Sequence, residues 1–431
     1  MIFKIDFEKA FDKVEYSAIL EIMRCMGFGN KWIGWIKTIF RSDLAAVLLN
    51  GVPGKKIHCK RGVRQGDPLS PQLYVLASEL LQYMVNKAWL DGIISLPLDN
   101  SFGLKFPIIQ YADDTLIILP ARPNQLLALK SILEDFTAIT GLKVNYGKSS
   151  LVPINISEDR CAELAEILTC KPEALPFTYL GLPMGTTKPK LEHFISILER
   201  IDRRLCGISN MLSYDGRLTV IKSIVTSIPL FAMCTVKMPR RFLDHVEGSA
   251  RKFLWRGRDI NKKGNCLVKW EQVCKPKKCG GMGVMNLRTQ NSALLMKHLY
   301  KFMNRFDVPW VQLIWKAHYQ NNKLPQVQAA CGSFWWKDIL ALWENFCQLT
   351  KCKQEDGRTI RFWKDKWRDV IPEMAYPHLF SFAKKQDINM NQIMLDNQAD
   401  SMLQHFNLPL SLIAFQQLQE IQTLLNNQNL V

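Results

Sequence analysis

Apolar and polar positions alternate along this chain in a way that changes several times. Residues 2–6 ("IFKID") read as a short apolar strand. From Glu15 to Met26 ("EYSAILEIMRCM") apolar side chains recur at helical spacing until Gly27, and Asn30 to Phe40 repeats that spacing with Trp32 and Trp35. The stretch "LAAVLLNGVPGKKIHCK" predicts a hairpin turning at Asn50-Gly51, a dipeptide suited to a two-residue turn with positive φ. Ser70 is the expected N-cap, with Pro71 at the first position of the long helix "QLYVLASELLQYMVNKAWL". Next comes "PIIQYADDTLIILP", Pro107 to Pro120, in which two apolar runs each read as a buried strand on either side of Asp113-Asp114. A helix follows Pro123, with Leu126, Leu129, Leu133 and Phe136 on one side. Strands are separated by helices yet include antiparallel hairpins, so the expected class is α+β rather than doubly wound. Beyond about residue 190 the pattern turns mostly helical, and the tail from Asn391 is rich in Gln and Asn.

Composition narrows the partners. The chain has 431 residues, 48% hydrophobic and 22% charged, the profile of a globular protein with room for two or three domains. A formal charge of +17 favours a polyanionic partner. Between Lys237 and Arg288 there are 14 Lys/Arg against 4 Asp/Glu, a net +10, interleaved with Phe242, Phe253, Trp255 and Trp270. That mixture suits phosphates and unpaired bases, although a solvated basic face has the same composition. Twelve cysteines without a disulfide-framework spacing point to a reducing compartment. Cys266, Cys274 and Cys279 are spaced C-x7-C-x4-C with no close pair, so a zinc site is not expected. No apolar run approaches 18 residues and no secretory leader is legible, so the expectation is an intracellular protein of nucleus or cytoplasm, neither secreted nor membrane-bound.

The two adjacent aspartates need a reason. Neighbouring carboxylates repel, and placing them at a hairpin tip becomes favourable when hard divalent cations neutralise them. Asp6, at the end of the strand "IFKID", is the candidate third carboxylate; if that strand lies beside the Asp113 hairpin, three acids converge at one sheet edge. Such a set fits a two-metal site, one ion activating an attacking oxygen and the other stabilising the leaving one. Taken alone, Asp113-Asp114 is equally an ordinary solvated turn. Between the acids, "RGVRQGDPLSPQLY" (61–74) offers Arg61, Arg64 and Gln65 around two glycines, followed by a helix N-terminus. Glycines permit close backbone approach and a helix start favours anions, though Gly66-Asp67-Pro68 by itself is only a turn.

In order along the chain, "FKIDFEKAFDKV", "RGVRQGDPLSPQLY", "YADDTLII", "GLKVNYGKSS" and "FTYLGLPMG" resemble the palm motifs of reverse transcriptases of non-LTR (LINE-type) retrotransposons. Downstream, "LVKWEQVCKPKKCGGMGVMNL", "NSALLMKHLYKF" and "GRTIRFWKDKW" look most like the plant members. The resemblance covers roughly residues 2 to 370. It implies an RNA-directed DNA polymerase with an antiparallel palm sheet and packed helices, then a mostly α-helical thumb and C-terminal region.

Carried over residue by residue, the resemblance makes Asp6 and Asp113 the principal metal ligands, with Asp114 beside them and the Phe7 carbonyl as a backbone ligand. The ions would be two Mg2+, with Mn2+ as the alternative. Phe11 takes the place of the steric gate that excludes a ribose hydroxyl; a core phenylalanine is its plainer reading. Arg64, Gln65 and Gly66 would lie against the incoming nucleotide and template. Lys148 would protonate the departing pyrophosphate, although a surface loop lysine explains it equally well. Tyr179, Leu180, Gly181, Leu182, Pro183, Met184 and Gly185 would form the primer grip. Partners would be an RNA template, a DNA primer and dNTPs.

The expected organisation is a palm over 1–155 lacking most of the fingers, primer grip and helical thumb over 156–250, and a basic, Trp-rich, mainly helical region over 251–431. Because the sequence begins at the strand of Asp6, N-terminal truncation is expected. The alternative reading is an inactive element remnant that at most binds nucleic acid. An RNA-dependent RNA polymerase also uses paired aspartates, but Phe11 and the plant-type motifs argue against it. Trp310, Trp315, Trp335, Trp336 and Trp343 recur at intervals suited to helix packing and are expected in the core. Asp356-Gly357 signals a turn into a short strand.

Overall fold

The computed structural model describes residues 1–97, 108–208, 212–256, 266–318, 332–350, 357, 360–367, 370–398 and 401–426. The chain divides into two compact units, Met1–Gly185 and Thr186–Val431. Its class is α+β. Among the described residues no helix is long and apolar enough to cross a membrane.

The first unit opens with strand β1 (Ile2–Ile5), then α1 (Ala10–Lys13), α2 (Tyr16–Cys25) and α3 (Asn30–Arg41). Four two-residue strands follow: β2 (Leu44–Ala45), β3 (Leu48–Leu49), β4 (Val52–Pro53) and β5 (Ile57–His58). β3 and β4 form the expected hairpin, with Asn50 and Gly51 at φ 50° and 84° supplying the left-handed turn. Helix α4 (Ser70–Leu90) leads to β6 (Ile108–Tyr111) and β7 (Asp114–Ile118). Then come α5 (Pro123–Thr140), β8 (Ser150–Val152), α6 (Glu158–Leu168), β9 (Lys171–Pro172), β10 (Phe177–Tyr179) and β11 (Leu182–Met184).

Five strands assemble in the order β6-β7-β1-β8-β9, antiparallel except for the β8–β9 pair. The amino-terminal strand therefore lies at the centre, pairing with β7 and β8 across more than a hundred residues of sequence. Its alternation puts Phe3 and Ile5 in the core, with Leu126, Leu129, Leu133 and Phe136 of α5 in the same cluster. Each such side chain, fully buried, contributes roughly 1.5–3 kcal/mol of transfer free energy. On α4, Leu73, Tyr74, Ala77, Ser78, Leu81 and Val85 form the buried stripe at helical spacing.

Two local expectations are corrected. Ser70 does not cap α4: Leu69 occupies the cap, without a side-chain bond, while Asp67 accepts from the Leu69 amide at 2.8 Å. The aspartate three residues earlier reaches the free amide and leaves Ser70 as the first helical residue. The run before the paired aspartates is not a buried strand either. β6 is an edge strand, so its pleat turns Ile109 (48% exposed) and Tyr111 (66%) outward, whereas β7 lies between two neighbours and buries Thr115, Leu116 and Ile117. Pro107 lies outside the described residues.

The second unit is mostly helical. Its helix Arg240–Arg256 buries Phe242, Leu243, Val246, Ala250, Phe253 and Leu254 at three- and four-residue intervals, leaving Arg240, Arg241 and Lys252 outside. Phe242, Phe253 and Trp270 are thus core residues, unable to stack on unpaired bases, and Trp255 is half-buried. The tryptophans pack as expected: Trp336 and Trp343 are buried with Leu295, Leu299 and Phe302, and Trp310, Trp315 and Trp335 lie against them. A further cluster gathers Phe362, Trp363, Trp367, Phe406 and Leu418, over a buried Arg361–Asp365 ion pair at 2.7 Å. Asp356 and residues 358–359, the expected start of the short strand, lie outside the described residues; beyond them Arg361 bridges Asn389.

Candidate active site

The carboxylates are organised by strand register. β1 and β7 pair with Ile2 opposite Ile118 and Ile5 opposite Thr115. Continued by one residue, the same register sets Asp6 opposite Asp114. Directly opposed residues of an antiparallel pair direct their side chains to one face. Asp113 sits in the two-residue turn between β6 and β7, next to Ala112, whose φ of 52° is left-handed. A non-glycine residue in that region carries backbone strain of about 1–2 kcal/mol, and Lys9, three residues after Asp6, shows it again at φ 47°. Strain of this kind collects where a turn is aimed rather than relaxed.

The two aspartates of the turn are exposed, not buried. Partial burial raises the pKa of Asp114 above the ordinary carboxylate value; the Asp113 charge adds to the rise, Lys4 opposes it, and Asp6 contributes the smallest share. The Asp6 and Asp113 carboxylates are thus near enough to Asp114 for their charges to register there. As the side chains stand, no three acidic, His or Cys groups among the described residues come close enough to hold one metal ion. The backbone brings the three residues to one edge of the sheet. Hard oxygen donors in uncompensated excess fit Mg2+ or Mn2+ in kind.

Asp6 is held from behind by the loop before β8. Its amide donates to the buried Ser149 hydroxyl at 3.0 Å, and its carbonyl accepts from the Asn145 amide at 2.7 Å. Ser149 in turn donates to the Asn145 carbonyl at 2.8 Å. Phe7 bridges Val144, and the flanking bonds run from Glu8 to Lys143 and from Asn145 to Asp6. In such a pair the bridging residue's own carbonyl faces away from the partner strand, so the Phe7 oxygen is not consumed by it. Lys148 is exposed in this loop and gives its own amide to Asn145.

Phe11 packs on Tyr74 of α4, ring centroids 4.7 Å apart and planes 11° from parallel. The loop 61–66 is drawn to the same place: Val63 donates to the Phe11 carbonyl at 2.7 Å, and Gly62 to Val14 at 2.8 Å. Gly62 must be glycine here, because its φ is 87° and a Cβ would stand 2.7 Å from the Asp12 carbonyl oxygen. Gln65 and Gly66 are exposed at the end of that loop. Arg64 is not free beside them. Its guanidinium pairs with Asp43 at 2.5 Å and reaches the Leu44 carbonyl at 3.2 Å. Asp43 is buried and also accepts from Tyr16 at 2.8 Å, and Tyr16 stacks on Phe40.

Tyr179 to Gly185 forms a hairpin, β10 against β11, turning at Leu180 and Gly181 with φ 50° and 76°. Phe177 and Tyr179 share a small core with Leu116 and Val152, so the hairpin is seated on the sheet that carries the acids. The Tyr179 hydroxyl donates a long bond, 3.4 Å, to the Asp114 carbonyl.

Asp43, Tyr74, Asn145 and Ser149 were not predicted as site residues. Each acts through a contact between segments far apart in sequence. Tyr74, Asn145 and Ser149 lie inside the quoted motifs, and Asp43 lies in none of them.

Residues 1–184 match the model of the reverse transcriptase (RNA-dependent DNA polymerase) family. An Arabidopsis thaliana protein provisionally named a ribonuclease H protein is 30% identical over 191 residues, 43% of this chain and 31% of its own length. The transposon TX1 149 kDa protein of Xenopus laevis is 26% identical over 304 residues, 69% of this chain and 22% of its own. The Pol polyprotein of a type-1 R2 retrotransposable element from Popillia japonica is 27% identical over 162 residues, 37% of this chain and 22% of its own. The chain spans about a fifth to a third of the length of these relatives. Among solved structures, telomerase from Candida albicans with a fragment of telomeric RNA aligns over 72% of this chain and 50% of its own, at 13% identity and TM-score 0.30.

Proposed function

We propose that this chain, whose residues 1–184 are a reverse transcriptase domain of the non-LTR retrotransposon type, serves as the RNA-directed DNA polymerase of such an element. In this reading residues 1–155 are the palm, 156–250 carry the primer grip and helical thumb, and 251–431 are a basic, Trp-rich helical region. The observation that supports the reading is the β1–β7 pairing, Ile5 against Thr115, which ends at the sheet edge where Asp6 follows one strand and Asp113 and Asp114 open the other.

Asp6, Asp113 and Asp114, with the Phe7 carbonyl, would hold Mg2+ or Mn2+. When bound, the metal supplies acidification of the primer 3′-hydroxyl and neutralisation of the triphosphate charge. The chain's own groups do the positioning. The Phe11 ring forms the wall beside the deoxyribose and excludes a 2′-hydroxyl. Gln65 and Gly66 present an exposed loop to the nascent base pair. Arg64, paired with Asp43 yet with more than half of its side chain exposed, lies against the incoming nucleotide at the base of that loop. Lys148, exposed on the loop behind Asp6, protonates the departing pyrophosphate. The Tyr179–Gly185 hairpin holds the primer end. Base pairing chooses the nucleotide, so the protein needs only a basic grip on backbone, in keeping with its +17 charge.

The test is primer extension on an RNA template with dNTPs and Mg2+, comparing the chain with Asp113→Ala. Extension by the first and none by the second supports the reading. Equal nucleic-acid binding by both, with no extension by either, assigns the chain instead to non-catalytic binding.

A further inference from the structure

Tyr74 stands where the sugar wall meets the acidic turn, and its hydroxyl has no assigned use. The side chain is fully buried on the inner face of α4. Stacking on Phe11 over a broad ring face fixes the direction of its C–O bond. One turn further along α4, the Ser78 carbonyl accepts from Gln110 of β6 at 3.3 Å, so this face of the helix lies against the β6–β7 hairpin.

The hydroxyl has no hydrogen-bond partner among the described residues, and Thr115 Oγ1, one residue past Asp114, shares that condition. A buried phenol without an acceptor is destabilising, and phenylalanine would fill the same space without the penalty. A phenol is a hydrogen-bond donor at neutral pH, and this one is buried on the helix face that meets the hairpin carrying the exposed Asp113 and Asp114 carboxylates. A donor kept dry beside acceptors that have not yet turned inward is what a site needs if its carboxylates close on binding a cation.

We propose that Tyr74 is a positioning residue whose hydroxyl donates to the Asp113–Asp114 turn when those carboxylates draw in around a divalent cation. The inference rests on the proposed function only in requiring a cation at that turn. It gives the Phe11 wall and the acidic turn one shared support, so that closing the metal site also steadies the surface against the sugar.

Thermal unfolding of the full chain with Mg2+ titrated tests this without relying on catalysis. Without metal, Tyr74→Phe should melt at or above the wild-type temperature, because an unsatisfied hydroxyl has been removed. With metal, the wild-type melting temperature should rise and that of Asp113→Asn should not. Tyr74→Phe should need about ten- to a hundred-fold more Mg2+ for the same rise, the worth of one hydrogen bond to a charged group. A Tyr74→Phe titration superimposable on wild type overturns the inference and leaves the metal site standing. A wild-type protein whose melting temperature Mg2+ does not move overturns the metal reading and the inference together.

Discussion

The Ser149 hydroxyl accepts the amide proton of Asp6 at 3.0 Å, across 143 residues of sequence. It ties the central strand, just where its acid emerges, to the loop that carries Lys148. Ser149→Ala leaves the Asp6 amide without that acceptor, which costs about 1–2 kcal/mol in urea unfolding. The same change should lower kcat and leave the KM for dNTPs nearly unchanged, because the misplaced group is a carboxylate and not a nucleotide contact. Ser149→Thr should recover part of both losses.

Asp114 gives a prediction whose sign is opposite to that of a salt-bridged carboxylate. Its folded-state pKa is raised, so the folded protein holds the proton more tightly than the unfolded chain does. The resulting stability is complete below the ordinary carboxylate pKa and is lost as pH rises through the folded value. Asp114→Asn should therefore raise the melting temperature at pH 7, by about 1–2 °C given the exposure of the group. The gain should vanish near pH 3. A gain that grows on acidification would refute the raised pKa of Asp114.

Gly62→Ala should be severe. The new Cβ would meet the Asp12 carbonyl at 2.7 Å in a backbone conformation with φ 87°. A loss of about 2–4 kcal/mol is expected, since neither the strain nor the clash can relax without moving the loop. Hydrogen exchange should show the Val63 amide, now bonded to Phe11, losing protection first.

Phe11→Val removes the wall proposed beside the sugar. In primer extension it should raise incorporation of ribonucleotides relative to deoxyribonucleotides at least about ten-fold, the scale of one misfit group in a packed pocket. Its stack on Tyr74 also disappears, at a cost of about 1–3 kcal/mol in stability. An unchanged sugar preference in a folded variant would remove Phe11 from the specificity reading.

Much of the local structure was legible in the sequence because it depends on neighbours only a few residues apart. Asn50-Gly51 supplied the left-handed turn the short hairpin needs. The leucines of α5 fell on its buried face because helical spacing admits one apolar stripe. Asp6, Asp113 and Asp114 stood out because adjacent acids at strand ends are costly without a counterion. Other features misled. Phe242, Phe253 and Trp270 alternate with cations in sequence, yet helical geometry sends the rings inward and the charges outward.

The sequence by itself determined which of its long periodic segments would be helix, where the hairpins would turn and which acids were candidates for a cation. Only the tertiary structure decided that the strand ending before Asp6 pairs with the one that opens at Asp114, that Asp43 takes Arg64, and that Phe11 rests on a tyrosine whose hydroxyl has no partner among the described residues. The division has a physical cause. Turn chemistry and periodicity are set by steric limits within a few residues, whereas register and side-chain pairing between remote segments are settled by how the whole core packs.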